Sequence, residues 1–222
     1  MDWSLAISRN RNALRQIVLA LFALAGLRVG GSLARLPRSV ISALMLVLRP
    51  AESAVRRLIV IAARGLAVKP QAPRLAPTGF LPRSSVQNVR AFALFDPLKS
   101  FDPDDVWNVE PPKFESFFAS DGTAFSSDWI SVANEPVVAS LIGLRLNALM
   151  RALDDLPRQA RRLVRWQSRR DAALAKNQPV RLSPVRPGFP PGWRQRAIHE
   201  IDSLLRECHA LALDVMNEPD TS

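Results

Sequence analysis

Three apolar runs near the amino terminus, each fenced by arginine, constrain this chain more than any other feature. Ile17 to Leu27 reads IVLALFALAGL, eleven residues without a polar side chain. Val40 to Leu48 is a second run, and Leu58 to Val68, interrupted by Arg64, is a third. A membrane-spanning helix needs about 20 apolar residues. Each run is therefore nearer in length to a buried core helix or an interfacial segment than to a span. Within the third run, Val55, Leu58, Ile59, Ala62 and Leu66 share one side of a helix, with Arg57 and Arg64 elsewhere and Glu52 or Ser53 able to start it after Pro50. A basic amphipathic helix beside two apolar ones suits docking on a membrane surface, with Ile17, Leu19, Leu21, Phe22 and Leu24 as the contact residues. The competing outcome is a bundle in which the three helices close on their own apolar faces. The first run also has the ingredients of a signal peptide: Arg9, Arg11 and Arg15, an apolar stretch, then Ala23-Leu24-Ala25. Arg28, Arg35 and Arg38 follow at once, however, and positive charge on both sides sets no orientation.

Charge is segregated along the chain. Residues 1–90 carry 14 basic groups against 2 acids, a net of +12. Residues 91–135 carry 2 against 9, a net of −7, and residues 136–222 carry 14 against 9, a net of +5. Such a plan either neutralises itself, acidic middle against basic flanks, or seeks an anionic partner outside the chain. Of the 30 basic residues only Lys69, Lys99, Lys113 and Lys176 are lysine, and the planar guanidinium fork suits carboxylates and phosphates.

Proline divides the chain. Pro70, Pro73, Pro77 and Pro82 exclude helix and central strand, so residues 69–90 read as an extended basic linker; Pro70 to Pro73 is its one strict PxxP match. Residues 91–131 read as an acidic, aromatic, irregular segment. Phe95-Asp96-Pro97 recurs there as Phe101-Asp102-Pro103, and the favoured reading pins Phe92, Phe95 and Phe101 onto the helical body. Asp102, Asp104 and Asp105 lack the glycine and distant glutamate of a calcium loop. Asp121-Gly122 is a turn signal, and Phe114, Phe117, Phe118, Phe125 and Trp129 suggest a small aromatic cluster.

The strongest helical pattern runs from Asn134 to Ala175. Ser131 or Asn134 can cap it, with Pro136 in its first turn, and Val138, Leu141, Ile142, Leu149, Leu153 and Leu156 form its stripe. Pro157 divides it into two helices or kinks it, and Asp154 or Asp155 caps the second piece. On that piece Arg158, Arg161, Arg162, Arg165 and Arg169 form one stripe, opposite Ala160, Leu163, Val164 and Leu174. Like charges at this spacing repel, so the stripe favours an anionic neighbour. A last helix is expected from Trp193 to Met216, with Ile198, Ile201, Leu205 and Ala212 on its stripe, after a proline-rich stretch at 179–191. Its His199, Cys208 and His209 do not converge, since nine residues put His199 and Cys208 on opposite sides.

The fold class is therefore mainly α: N-terminal apolar helices, a kinked basic helix pair and a C-terminal helix, joined by proline-rich irregular linkers. The expected regions are 1–68, 69–90, 91–131, 132–216 and a tail at 217–222. No catalytic, metal or cofactor motif is recognisable; no Gly-rich phosphate loop, serine elbow, HExxH or CxxC occurs. The expected function is a non-enzymatic, membrane-associated adaptor or scaffold, on the cytoplasmic side of a membrane or in the cytoplasm, meeting an anionic lipid surface or acidic protein partner through the arginine stripe. A non-specific nucleic-acid partner is the alternative, and a hydrolase built on acids of the middle segment is a third reading without assigned residues.

Overall fold

A computed structural model of the chain describes residues 2–31, 35–66, 91–97 and 136–217. Among them the chain is mainly helical, with five helices and one short strand pair: α1 (Trp3–Leu24), β1 (Arg35–Pro37), α2 (Arg38–Ala62), β2 (Pro136–Val138), α3 (Ser140–Asp154), α4 (Leu156–Leu174) and α5 (Glu200–Asn217). The linker at 69–90 lies outside the described residues. So do the repeat at Phe101–Pro103, the acids Asp102, Asp104 and Asp105, the Asp121-Gly122 turn, the aromatic cluster from Phe114 to Trp129, and the tail beyond Asn217.

Helix α1 starts where Asp2 accepts a hydrogen bond from the Leu5 amide at 3.1 Å, satisfying one of the first-turn donors. Ala6, Asn10, Leu14, Val18, Leu21 and Phe22 recur every three or four residues and form its buried face. Gly26 ends it in the left-handed region at φ +64°. The Leu27 amide donates to Phe22 O and the Gly26 amide to Ala23 O, so a Schellman turn closes the helix.

Helix α2 joins the second and third apolar runs into one element. The sequence suggested a fresh start after Pro50; instead the helix passes through it. Proline has no amide hydrogen, so the carbonyl one turn earlier, Leu46 O, loses its helical donor. Arg194 Nη2 takes that place, donating to Leu46 O from the chain before α5. Ser53 Oγ donates to Pro191 O at 2.7 Å beside it. Gly192, at φ +80°, presses against the pyrrolidine: a Cβ there would fall 2.6 Å from Pro50 N. A proline inside a helix is thus supported from outside by a glycine and an arginine 140-odd residues later in sequence.

From Ala51 to Ile61 nearly every residue of α2 is buried, Arg57 among them. The segment is not the amphipathic surface helix its spacing suggested, because α2 is surrounded: it contacts α1, α3, α4 and α5. One apolar core, with Leu14, Leu48, Leu58, Leu149, Leu163 and Leu205 among its members, joins all five helices. The amino-terminal helices therefore do not close on themselves; they share their core with the carboxyl-terminal half.

Residues 136–138 pair with β1 in antiparallel register, Arg35 opposite Val138 and Pro37 opposite Pro136. Pro136 is thus a strand residue, not the first turn of a helix, and α3 begins at Ser140. The break between α3 and α4 falls at Asp155, whose Oδ1 accepts from the Arg158 amide at 3.1 Å. Helix α5 begins at Glu200, seven residues later than its apolar spacing suggested, since Trp193 to His199 form turns and irregular chain.

Candidate functional site

Two arginine environments stand apart. The first is buried and centred on Arg57, fully enclosed on α2. Its Nη2 lies 2.9 Å from Asp96 Oδ2, and Arg57 Nη1 and Arg56 Nη1 each lie 3.5 Å from Asp96 Oδ1. Arg57 Nη1 also donates to Ser53 O at 2.9 Å, and Nε donates to His209 Nδ1 at 3.2 Å. A guanidinium only donates, so His209 must offer a lone pair at Nδ1. Burial pushes the Arg57 pKa down, the Arg56 charge adds to this, and Asp96 opposes it. Burial, with the Arg57 charge behind it, likewise holds the His209 imidazole below its ordinary value. Trp193 meets the same imidazole edge-on at 5.8 Å between centroids.

Asp96 arrives on the short segment Ala91–Pro97, which arginines stitch down along its length. Arg56 Nε donates to Ala93 O at 3.1 Å, Arg162 Nη1 to Phe92 O at 3.4 Å and Arg181 Nη2 to Asp96 O at 2.8 Å. The Asp96 amide donates to Pro184 O at 3.0 Å, and the Arg186 amide donates to Asp96 Oδ2 at 3.3 Å. Phe92 and Leu94 are buried. Phe95 packs on Trp166 at 4.9 Å and lies under the Arg181 guanidinium at 5.2 Å. Asp96 is the one acid of the middle segment among the described residues, and it meets both basic flanks of the chain at once. Charge segregation signalled the attraction, but nothing in local spacing singled out Arg57 or Asp96 as partners.

The second environment is the stripe on α4. Arg158, Arg161, Arg165 and Arg169 are exposed, and among the described residues no carboxylate lies within ion-pairing distance of them. Arg161 Nε folds back onto Pro157 O at 3.3 Å and Arg169 Nε onto Arg165 O at 3.2 Å. Arg162 differs from the other four: it is half-buried, bonded to Gln159 Oε1 and Phe92 O. Burial and then the Arg158 charge lower its pKa. Gln159 is itself buried, so it is not presented to a nucleic-acid groove. Opposite the stripe, Ala160 and Leu163 enter the core and Val164 packs against it, whereas Leu174 is exposed.

The residues assigned to membrane contact do not form one surface. Leu21 and Phe22 are only 3% and 2% exposed and belong to the core; Ile17 is half-buried; Leu19 and Leu24 are exposed. A helix with a buried stripe divides any consecutive apolar run between core and solvent, and α1 does so here. No helix of the described residues is long and apolar enough to cross a membrane.

The residues of α5 that invite a chemical reading point apart. Cys208 is fully buried, its thiol pushed up to about 12 by burial and by Glu207. His209 faces Arg57 and Trp193, and His199 is exposed before the helix. The Asp202 carboxylate accepts the Ile198 and His199 amides at 2.9 and 3.1 Å and Arg194 Nη1 at 3.1 Å. Burial alone would raise its pKa, but those donors bring it below the ordinary carboxylate value. It thereby holds the amino end of α5. Among the described residues no group of three or more His, Cys, Asp or Glu is placed to hold a metal ion.

Neither a protein-family model, nor a curated protein sequence, nor a solved structure matches the chain.

Proposed function

We propose that this protein is a non-enzymatic, membrane-associated helical adaptor that docks on an anionic surface or acidic protein partner through the arginine face of α4. The observation that carries this reading is the exposure of Arg158, Arg161, Arg165 and Arg169 along one helix, without a described carboxylate partner. Repulsion along such a stripe weakens the helix on its own, and a bound anion relieves it. The burial of Cys208 and the use of His209 Nδ1 by Arg57 also favour a binding role over a catalytic one.

The test compares the protein with its Arg161→Glu, Arg165→Glu, Arg169→Glu variant. Arg162 is left alone because it is part of the fold. Retention is measured on phosphatidylserine-containing vesicles, on polyglutamate and on duplex nucleic acid at two salt concentrations. Salt-sensitive retention on vesicles or polyglutamate, lost in the variant, supports the reading. Retention confined to nucleic acid would replace it with the nucleic-acid alternative. A variant that still binds as the parent does would end both.

A further inference from the structure

The chain between α4 and α5 has a composition of its own. From Ala172 to His199 there is no Asp or Glu, while Lys176, Arg181, Arg186, Arg194 and Arg196 are basic. Two of the most exposed large apolar side chains of the described structure lie on it, Phe189 at 69% and Ile198 at 73%. Neither is a loose end. Phe189 stands between Gly188, at φ +78°, and the buried Pro190, and one face of its ring stacks on Trp193 at 5.2 Å. The Ile198 amide is held by Asp202. Arg194 ties this region to α2, since one guanidinium reaches both Asp202 and the Leu46 carbonyl. The Leu46 side chain is 54% exposed. Leu46, Phe189 and Ile198 are therefore gathered around Arg194 and the amino end of α5.

Among the described residues the surrounding charge is mostly positive. Asp202 answers Arg194, but Arg196 is exposed and has no described carboxylate partner. Arg206 stacks over Trp193 at 5.4 Å and donates to Arg194 O and Gln195 O, also without a described carboxylate. Glu200 is the nearest exposed acid in sequence.

We infer that this apolar knob of Leu46, Phe189 and Ile198, ringed by Arg196 and Arg206, is where the protein enters the interface of an anionic phospholipid bilayer. The inference rests on the reading above that the protein meets an anionic surface, and it moves the apolar contact away from the Ile17–Leu24 residues that the core has claimed. Apolar tips on irregular chain ask no matching shape of what they enter, and a fluid acyl boundary offers none. Guanidiniums beside them then sit at the depth of the lipid phosphates. Glycine, proline and the Arg194 contacts hold the tips in place beforehand, so insertion loses little conformational freedom.

The experiment labels Ile198→Cys with a polarity-sensitive dye in the full chain; Cys208, buried and with its raised thiol pKa, does not compete for the label. A second protein carries the dye at Ala210→Cys, an exposed position ten residues along α5 from Glu200, about 15 Å away. With phosphatidylserine–phosphatidylcholine vesicles the dye at 198 should brighten and shift to the blue, with phosphatidylcholine alone it should not, and the dye at 210 should change in neither. Adding Leu46→Ser and Phe189→Ser should weaken the vesicle response about tenfold or more. If the protein sediments with anionic vesicles while the dye at 198 stays unchanged, the knob is not the contact, though docking on an anion survives. Equal shifts at 198 and 210, or a shift that grows with protein concentration without vesicles, would overturn it in favour of general adsorption or self-association.

Discussion

Arg57 and Arg165 are the same residue on two helices of one small protein, and they do opposite things. Arg57 is enclosed in the core with its donors answered by Asp96, Ser53 and His209. Arg165 is exposed on α4, and among the described residues no carboxylate pairs with it. A surplus of arginine is therefore not a measure of anion-binding surface. Where a carboxylate from a distant segment reaches the guanidinium, arginine is a core residue; where none does, it remains available to something else. The difference can be tested by removing each kind in turn, and the predicted effects span the whole range of single-site costs.

The largest belongs to the buried pair. Asp96→Ala leaves Arg57 charged and unpaired in the core, which costs about 3–5 kcal/mol, read as a lower urea midpoint. Arg57→Met in the same chain removes the stranded charge and should restore much of that loss. A double variant as unstable as the single one would mean that Asp96 acts by fastening the Ala91–Pro97 segment, not by neutralising Arg57. Next comes Gly192→Ala. The new Cβ would strike Pro50 from a backbone that disfavours any L side chain, at a cost of about 1–3 kcal/mol by thermal melting. That substitution probes the external support of α2 without altering a charge.

How much of this was legible beforehand follows the range of the interactions. Asp155 as the cap of α4 was readable, because a cap acts over three residues and Pro157 marks the site. The arginine stripe was readable from helical periodicity, apart from the half-buried position of Arg162, which Phe92 decides from 70 residues away. Pro50 misled, because a proline normally ends a helix and the groups that rescue it, Gly192 and Arg194, lie in another part of the chain. The split of Ile17–Leu24 between core and solvent was equally hidden: eleven apolar residues in a row carry no periodicity to show which face is buried. Asp96 looked like one acid among nine. Its burial depends on where the extended segment crosses α2, and no local rule sets that crossing.

His209 offers a milder probe of the buried site. Its pKa is lowered in the folded chain, so the unfolded chain takes up a proton near pH 6.5, where the folded chain does not. Stability is then complete above that pH and declines as the pH falls toward the folded value, where an imidazolium would confront Arg57. A series of denaturant midpoints between pH 7.5 and 5 should show this decline, and His209→Gln, with its amide oxygen toward Arg57 Nε, should flatten it. An unchanged slope in the variant would assign the acid sensitivity to other groups.

The smallest expected effect is the most informative about the exposed set. Changing Arg161, Arg165 and Arg169 together to Gln removes three charges from a helix that already carries them at repelling distances. Their only described hydrogen bonds are Arg161 and Arg169 folding back onto their own helix. The hydrocarbon stems remain similar in length, and glutamine is close to arginine in helix propensity. Folding stability should therefore move by no more than about 0.5 kcal/mol in either direction. Three guanidiniums that the fold does not need would then stand against one, Arg57, that it cannot lose alone. If the triple change instead cost several kcal/mol, α4 would be held by carboxylates of this same chain, and its arginine face would be an internal joint and no docking surface.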